Sequence, residues 1–266
     1  MTEMKPIPAP PQPALAQPVP GMPQQWMPRP TEVIPGCPPG LEYLTHLDQI
    51  LVHQQVELFE AMTGIDMNNK YAVKNTVGQQ CYFAYEETGL GMRMCCGSER
   101  GFKFHVVDNA GQEVMRITRE FKCCAGCCWC AGKDCGAWVV QVEAPVGNVV
   151  GTIRQTCSYW YTKMDIQDER GQTQLKILQG PCCICPGPCC TCDFNFDVLP
   201  AAGGAVGNPA IGAVTKQYSG FTKECFTNAT NFAITFPKDL DVKMKATLLG
   251  ACILLDFMFF EQNDDD

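Results

Sequence analysis

The 266-residue sequence predicts a mainly β protein. A closed antiparallel barrel follows a disordered proline-rich tail and ends in one hydrophobic helix. Three observations carry that reading. From Tyr71 to Phe236 short β-rich runs are separated by Gly, Asn and Asp, with no long helical pattern between them. Thirteen of the 20 prolines lie at or before Pro39. The stretch 246–260 is the most apolar in the chain and has no polar face, so as a helix it must be surrounded by protein or by lipid.

The tail, residues 1–39, lacks backbone donors at each proline and cannot bury enough surface to offset its ordering entropy. Polyproline II or disorder is expected there. PxxP spacings at Pro10 and Pro13, Pro20 and Pro23, and Pro35 and Pro38 suit SH3-domain partners, although a plain linker would also contain them. The body spans 40–261. Leu41, Leu44 and Leu47 have helical spacing and predict a short lead-in. Strands are expected at 50–53, 56–59, 103–107, 113–117, 138–142, 149–153, 163–166 and 174–178.

An internal echo organises these strands. Asn75-Thr-Val-Gly-Gln79, Asp108-Asn-Ala-Gly-Gln112 and Asp168-Glu-Arg-Gly-Gln172 each precede a strand and then a cysteine pair. Glycine supplies the positive φ of a tight hairpin, and Asp or Asn caps the turn. Three such units predict a repetitive sheet with cysteine loops at one end of its hairpins. Open edges invite aggregation, so the sheet is expected to close.

The apolar helix is expected over 242–260, with Leu248, Leu249, Ile253, Leu254, Leu255, Phe257, Phe259 and Phe260 as its oily surface and Asp256 within it. Fifteen apolar residues at 1.5 Å each give about 22 Å, against a hydrocarbon core of roughly 30 Å. Asp256 costs roughly 3 kcal/mol on the insertion scale, so spanning is marginal. The two wrappings, bilayer or barrel, both stand. If the helix spans, Lys243 and Lys245 before it and the acidic tail 262–266 after it fit a single-pass type II orientation with a cytosolic amino end.

Composition narrows the function classes. The formal net charge is −8 with only 20 Lys+Arg and no basic run, which makes nucleic acid an unlikely main partner. Residues 1–21 show no apolar signal core, so a cytosolic start and reduced thiols are expected. The 19 cysteines are odd in number, excluding complete internal pairing and leaving lipidation or metal binding. Cys123, Cys124, Cys127, Cys128 and Cys130 form one cluster, and Cys182, Cys183, Cys185, Cys189, Cys190 and Cys192 another. Zinc held by four thiolates drawn from the two clusters is an alternative to acylation, as are inert thiols. His46, His53 and His105 have no metal or nucleophile spacing, and no P-loop, GxGxxG or GxSxG occurs, so a non-enzymatic role is expected.

From Cys37-Pro-Pro-Gly-Leu-Glu-Tyr-Leu44 onward the chain resembles the phospholipid scramblase family. Ile50-Leu-Val-His-Gln-Gln-Val-Glu57, Asp108-Asn-Ala-Gly-Gln-Glu-Val114, Phe236-Pro-Lys-Asp-Leu-Asp-Val-Lys-Met-Lys-Ala246 and Asp256-Phe-Met-Phe-Phe-Glu261 carry the likeness. The family is similar in fold to the tubby proteins, a closed barrel around a central C-terminal helix. The resemblance implies calcium-triggered, ATP-independent, bidirectional phospholipid movement at the plasma membrane, with tail and barrel cytoplasmic. It aligns the cluster Cys123, Cys124, Cys127, Cys128 and Cys130 with a palmitoylation site. It maps a calcium segment onto 230–241, and the candidate oxygen donors are Asn228 just before it and Thr230, Asn231, Asp239 and Asp241 within it. Thr230 stands where relatives usually have Asp, and Thr235 holds the glycine position, so a weak site or a mere strand-to-helix turn is expected. The family's nuclear-import segment falls on 212–220, where Lys216 is the only basic residue. Direct lipid movement by a single helix would require homo-oligomers or bilayer thinning around Asp256. The alternative role is an acylated adaptor that binds SH3 domains.

Overall fold

In the computed structural model the described residues are 25–30, 34–55, 68–87, 89, 96, 99–122, 125, 131–158, 162–179, 194–203, 209–216 and 231–261. A short helix, α1 (Glu42–Thr45), leads into twelve strands. These are β1 (Gln49–Gln54), β2 (Lys70–Lys74), β3 (Gln80–Glu86), β4 (Phe102–Val107), β5 (Glu113–Arg119) and β6 (Val139–Glu143). They continue with β7 (Val149–Gln155), β8 (Lys163–Asp168), β9 (Thr173–Gln179), β10 (Phe194–Pro200), β11 (Gly212–Lys216) and β12 (Asn231–Thr235). The long helix α2 (Val242–Phe259) ends the fold.

Each strand pairs antiparallel with the next, and β1 closes on β12 from Gln49 opposite Thr235 to His53 opposite Asn231. Closure leaves the sheet without free edges. Alternation does the sorting. In β4, Phe102, Phe104 and Val106 are buried while Lys103, His105 and Val107 are half-buried.

The sequence echo is one turn used three times. Asn75, Asp108 and Asp168 each accept, through Oδ1, the backbone N–H of the glutamine four residues on, at 2.8, 3.0 and 2.9 Å. The glycine between them has φ of +84° at Gly78, +72° at Gly111 and +75° at Gly171, a conformation other residues adopt at a cost. A fourth hairpin of the same length joins β6 to β7 through Pro145, Gly147 and Asn148. It lacks the leading Asp or Asn, and the echo misses it. The strand expected at 56–59 lies outside the described residues.

α2 decides between the two wrappings. From Met244 to Phe257 every residue is buried, against β6, β7, β8 and β12. A methyl added at Gly250 would stand 2.8 Å from Val142 Cγ2 and 3.2 Å from Ile153 Cδ1, so helix and wall are in close contact. The oily surface that could have met lipid is used up inside the barrel. No helix among the described residues is long and apolar enough to cross a membrane. This corrects the spanning, type II alternative.

The barrel has two unlike ends. At the turn end lie the hairpin turns, α1 and the start of α2. At the loop end lie most of the longer connections and the finish of α2, the β10–β11 connection being at the turn end. Residues 25–30, assigned by composition to the tail, lie along the barrel at the turn end. Gln80 donates its N–H to Gln25 O (2.9 Å) and accepts from Met27 N (2.8 Å), making Trp26 a parallel bridge to β3.

Candidate functional site

The loop end is shut by ionisable side chains. Arg100 donates to Glu86 through Nε (2.9 Å) and Nη2 (3.0 Å), and through Nη2 to Glu261 (2.6 Å). Asn69 joins the same two carboxylates with its Nδ2, at 3.1 Å to Glu86 and 2.8 Å to Glu261. Glu261 follows α2, Glu86 ends β3, and Asn69 precedes β2, so the network ties the helix's exit to the wall. Arg119 donates to Arg100 O and is stacked among Phe102, Trp138 and Phe257. Burial pushes its pKa down to about 9, with Glu261 countering, so it remains a cation at neutral pH. Burial also raises the Glu261 carboxyl, against the charge of Arg100.

One turn into the barrel, Tyr71 donates its hydroxyl to Asp256 Oδ2 at 2.5 Å. Burial and the Asp256 charge hold the phenol's pKa well above its usual value. The Asp that penalises insertion into lipid thus has a partner inside the protein.

The turn end is held by backbone. Lys245 is fully buried and donates to Leu44 O (3.0 Å), Leu47 O (2.8 Å) and Lys238 O (2.8 Å), fastening α1 and the 237–240 turn to α2. Asp241 caps α2, accepting from Lys243 N at 2.7 Å, which satisfies a donor the first turn leaves open. Lys243 pairs with Glu169 at 2.8 Å. A surface cavity of about 300 Å³ lies beside this cap, between α2 and the Asp168–Gln172 turn.

The structure does not bring the calcium candidates together. Asn231 opens β12 at the loop end, where His53 Nδ1 lies 2.7 Å from its Oδ1. Asp239 and Asp241 follow β12 at the turn end. The five-residue strand between them spans roughly 13 Å at about 3.3 Å per residue. No single ion with oxygen ligands at about 2.4 Å can bridge that gap, so these residues do not fit one calcium centre. Asn228 and Thr230 lie outside the described residues. So do all five cysteines of the 123–130 cluster and those of 182–192. Among the described residues no group of three or more His, Cys, Asp or Glu is set to hold a metal. None of the six described cysteines, Cys37, Cys81, Cys96, Cys135, Cys157 and Cys252, forms a disulfide. Of the helix candidates, Leu248, Leu249, Ile253, Leu254, Leu255, Asp256 and Phe257 are buried, and Phe259 and Phe260 are half-buried at the loop end. His105 lies on the barrel's outer face between Glu113 (2.7 Å) and Glu87 (2.9 Å).

Comparison with known proteins places this geometry. The scramblase family model matches residues 27–262. The chain belongs to the phospholipid scramblase family. Mouse phospholipid scramblase 1 is 44% identical over 96% of the chain and 74% of its own length. Human phospholipid scramblase 2 is 41% identical over 94% of the chain and 80% of its own length. Human phospholipid scramblase family member 5 is 39% identical over 94% and 89%. No solved structure matches the chain at a significant level.

For this scramblase-family barrel, the resemblance read from 236–261 therefore holds, and so does the enclosed helix. Sequence reasoning missed the loop-end network and the strap at 25–30. Glu86, Arg100 and Glu261 are far apart in the chain, and the one available signal was the pairing of opposite charges just outside strand ends. The strap was hidden by its prolines.

Proposed function

We propose that this protein is a calcium-dependent, ATP-independent phospholipid scramblase at the plasma membrane, non-enzymatic and moving lipid in both directions. The observation that carries the reading is family membership across 27–262, which takes in the whole barrel and α2. Because α2 is sheathed by strands, the lipid path does not run along that helix. Headgroups cross instead where the barrel perturbs the adjoining bilayer, alone or as a homo-oligomer, and acyl chains on the cysteine segments serve to concentrate it at the membrane in the cell. The strand ends that flank those segments lie at the loop end, and in this reading that end faces lipid. Two or more acyl chains anchor stably where one does not.

The test is purified protein in vesicles holding a fluorescent phospholipid, with an impermeant quencher added outside. Calcium should carry quenching beyond the outer-leaflet half. If calcium gives no exchange above protein-free vesicles, direct scrambling is wrong.

One observation favours a second reading, an acylated adaptor. An enclosed α2 leaves, among the described residues, no helix long and apolar enough to cross a bilayer. The PxxP tail would then recruit SH3 domains to a lipid-anchored barrel. Replacing Cys123, Cys124, Cys127, Cys128 and Cys130 with alanine separates the two. An adaptor loses membrane fraction and partner recruitment together, whereas vesicle scrambling by unacylated protein is unchanged.

A further inference from the structure

Arg100 has two carboxylate partners at the loop end, and they are held on unequal terms. Glu86 meets the guanidinium as a fork, Oε1 on Nε at 2.9 Å and Oε2 on Nη2 at 3.0 Å, from a strand residue whose side chain has no exposed surface. Glu261 offers a single oxygen. Its Oε1 accepts from Arg100 Nη2 at 2.6 Å and from Asn69 Nδ2 at 2.8 Å, while its Oε2 is buried and accepts no hydrogen bond. The Glu261 side chain is 14% exposed and stands beyond the last residue of α2. Forked pairing is the stronger geometry, so Glu86 is the fixed partner and Glu261 the replaceable one.

What Glu261 occupies is a built anion slot. Two nitrogens from different parts of the chain, Arg100 Nη2 and Asn69 Nδ2, converge on one oxygen position. Both donors are fixed without Glu261. The Arg100 guanidinium lies over the Phe257 ring, 4.7 Å from its centroid, and Asn69 is held by Gln54 (2.9 Å) and by Glu86 (3.1 Å). Arg119, donating to Arg100 O, brings a second buried cation to the same end. Burial raises the Glu261 carboxyl in spite of Arg100, which marks an anion held at a cost. A phosphodiester carries one negative charge, as glutamate does, and replacing one with the other leaves the charge of the network unchanged. Guanidinium groups suit phosphate oxygens as well as carboxylate ones.

We propose that Arg100 and Asn69 form a binding site for the phosphodiester of a phospholipid headgroup, and that the Glu261 carboxylate sits in it as an internal competitor. The inference rests on the reading that the loop end faces lipid, and it names the group that lipid presents there. Glu86 stays on the guanidinium, Glu261 turns out to water, and a phosphate oxygen takes the position of Oε1. The site is weak by construction, because every headgroup that binds must first displace the carboxylate.

The experiment titrates the purified full chain with dihexanoyl-phosphatidylglycerol below its micelle concentration, a lipid whose only charge is the phosphodiester. Calorimetry gives the affinity, and the side-chain carboxyl carbon resonance of Glu261 reports whether that group leaves the slot. Dihexanoylglycerol, which lacks the phosphate, and inorganic phosphate, which lacks the glycerol ester, are the comparison ligands. The phospholipid should bind more tightly than either and move the Glu261 resonance to that of a solvated glutamate. Glu261→Ala should tighten its binding about tenfold by removing the competitor. A gain of this kind cannot come from misfolding. Arg100→Lys, which keeps the charge and loses the planar fork, should weaken binding about tenfold, and Asn69→Ala should weaken it several-fold. The site is overturned if Glu261→Ala leaves affinity unchanged or lowers it, if the phospholipid binds without moving the Glu261 resonance, or if dihexanoylglycerol binds as tightly. Inorganic phosphate binding as tightly as the lipid would overturn the headgroup assignment. Vesicle scrambling is scored separately. Phospholipid binding here with no lipid exchange keeps the site and removes the scramblase reading, and exchange without binding here does the reverse.

Discussion

The two ends of the barrel are closed by different physics. At the turn end the devices are local: three Asx-stabilised hairpins, a helix cap at Asp241, and Lys245 on three carbonyls. At the loop end the seal is a side-chain network assembled from β2, β3, the approach to β4 and the exit of α2. Closure by backbone reads out residue by residue. Closure by distant charges depends on the fold having formed.

The contrast can be broken most severely at the loop end. Arg100→Ala leaves Glu86 and Glu261 buried without their cation, and removing one partner of a buried pair costs about 3–5 kcal/mol. Urea unfolding should show that loss; a loss below about 1 kcal/mol would mean the network is solvated. At the turn end, Lys245→Met strips a charged donor from three carbonyls and should cost about 1.5–3 kcal/mol by the same measurement. Between the ends, Gly250→Leu forces bulk against Val142 and Ile153, and overpacking of this kind costs about 1–3 kcal/mol. The sign is diagnostic, because a helix bathed in lipid would accept leucine gladly.

The smallest expected effect is in pH. Burial lowers the His53 pKa below 6.5, with its Asn231 contact opposing and Lys74 adding to the shift. The folded state then favours neutral imidazole while the unfolded chain takes up a proton first. His53 therefore contributes stability that is present above pH 6.5 and lost as pH falls from 6.5 toward the lowered folded value. Comparing wild type with His53→Gln at pH 7.5 and pH 5.5 should show the wild type losing more.

The same division explains what the sequence made legible. Alternation and the Asp/Asn-x-x-Gly-Gln signature are short-range, so strands β4 to β9 and three hairpins are legible in the sequence. The apolarity of 246–260 demanded a sheath but could not choose one, because a barrel interior and a bilayer are equally oily. Asp256 was the discriminating residue, and its partner Tyr71 lies 185 positions away. The calcium candidates were grouped because the family resemblance maps one segment onto 230–241, yet β12 opens with Asn231 at one end of the barrel and delivers the chain to Asp241 at the other. Prolines in 25–30 signalled disorder, although a single bridge at Gln80 needs only two backbone groups and neither belongs to a proline.

The central claim is that α2 is sheathed by β-strands and not by acyl chains. Its most direct test places one epitope before Met1 and another after Asp266 and measures the protease accessibility of both in sealed cells. An enclosed helix returns the chain to the side it started from, so both epitopes should share one accessibility in sealed cells, cut together or protected together. Cleavage of the carboxyl-terminal epitope alone in intact cells would contradict it.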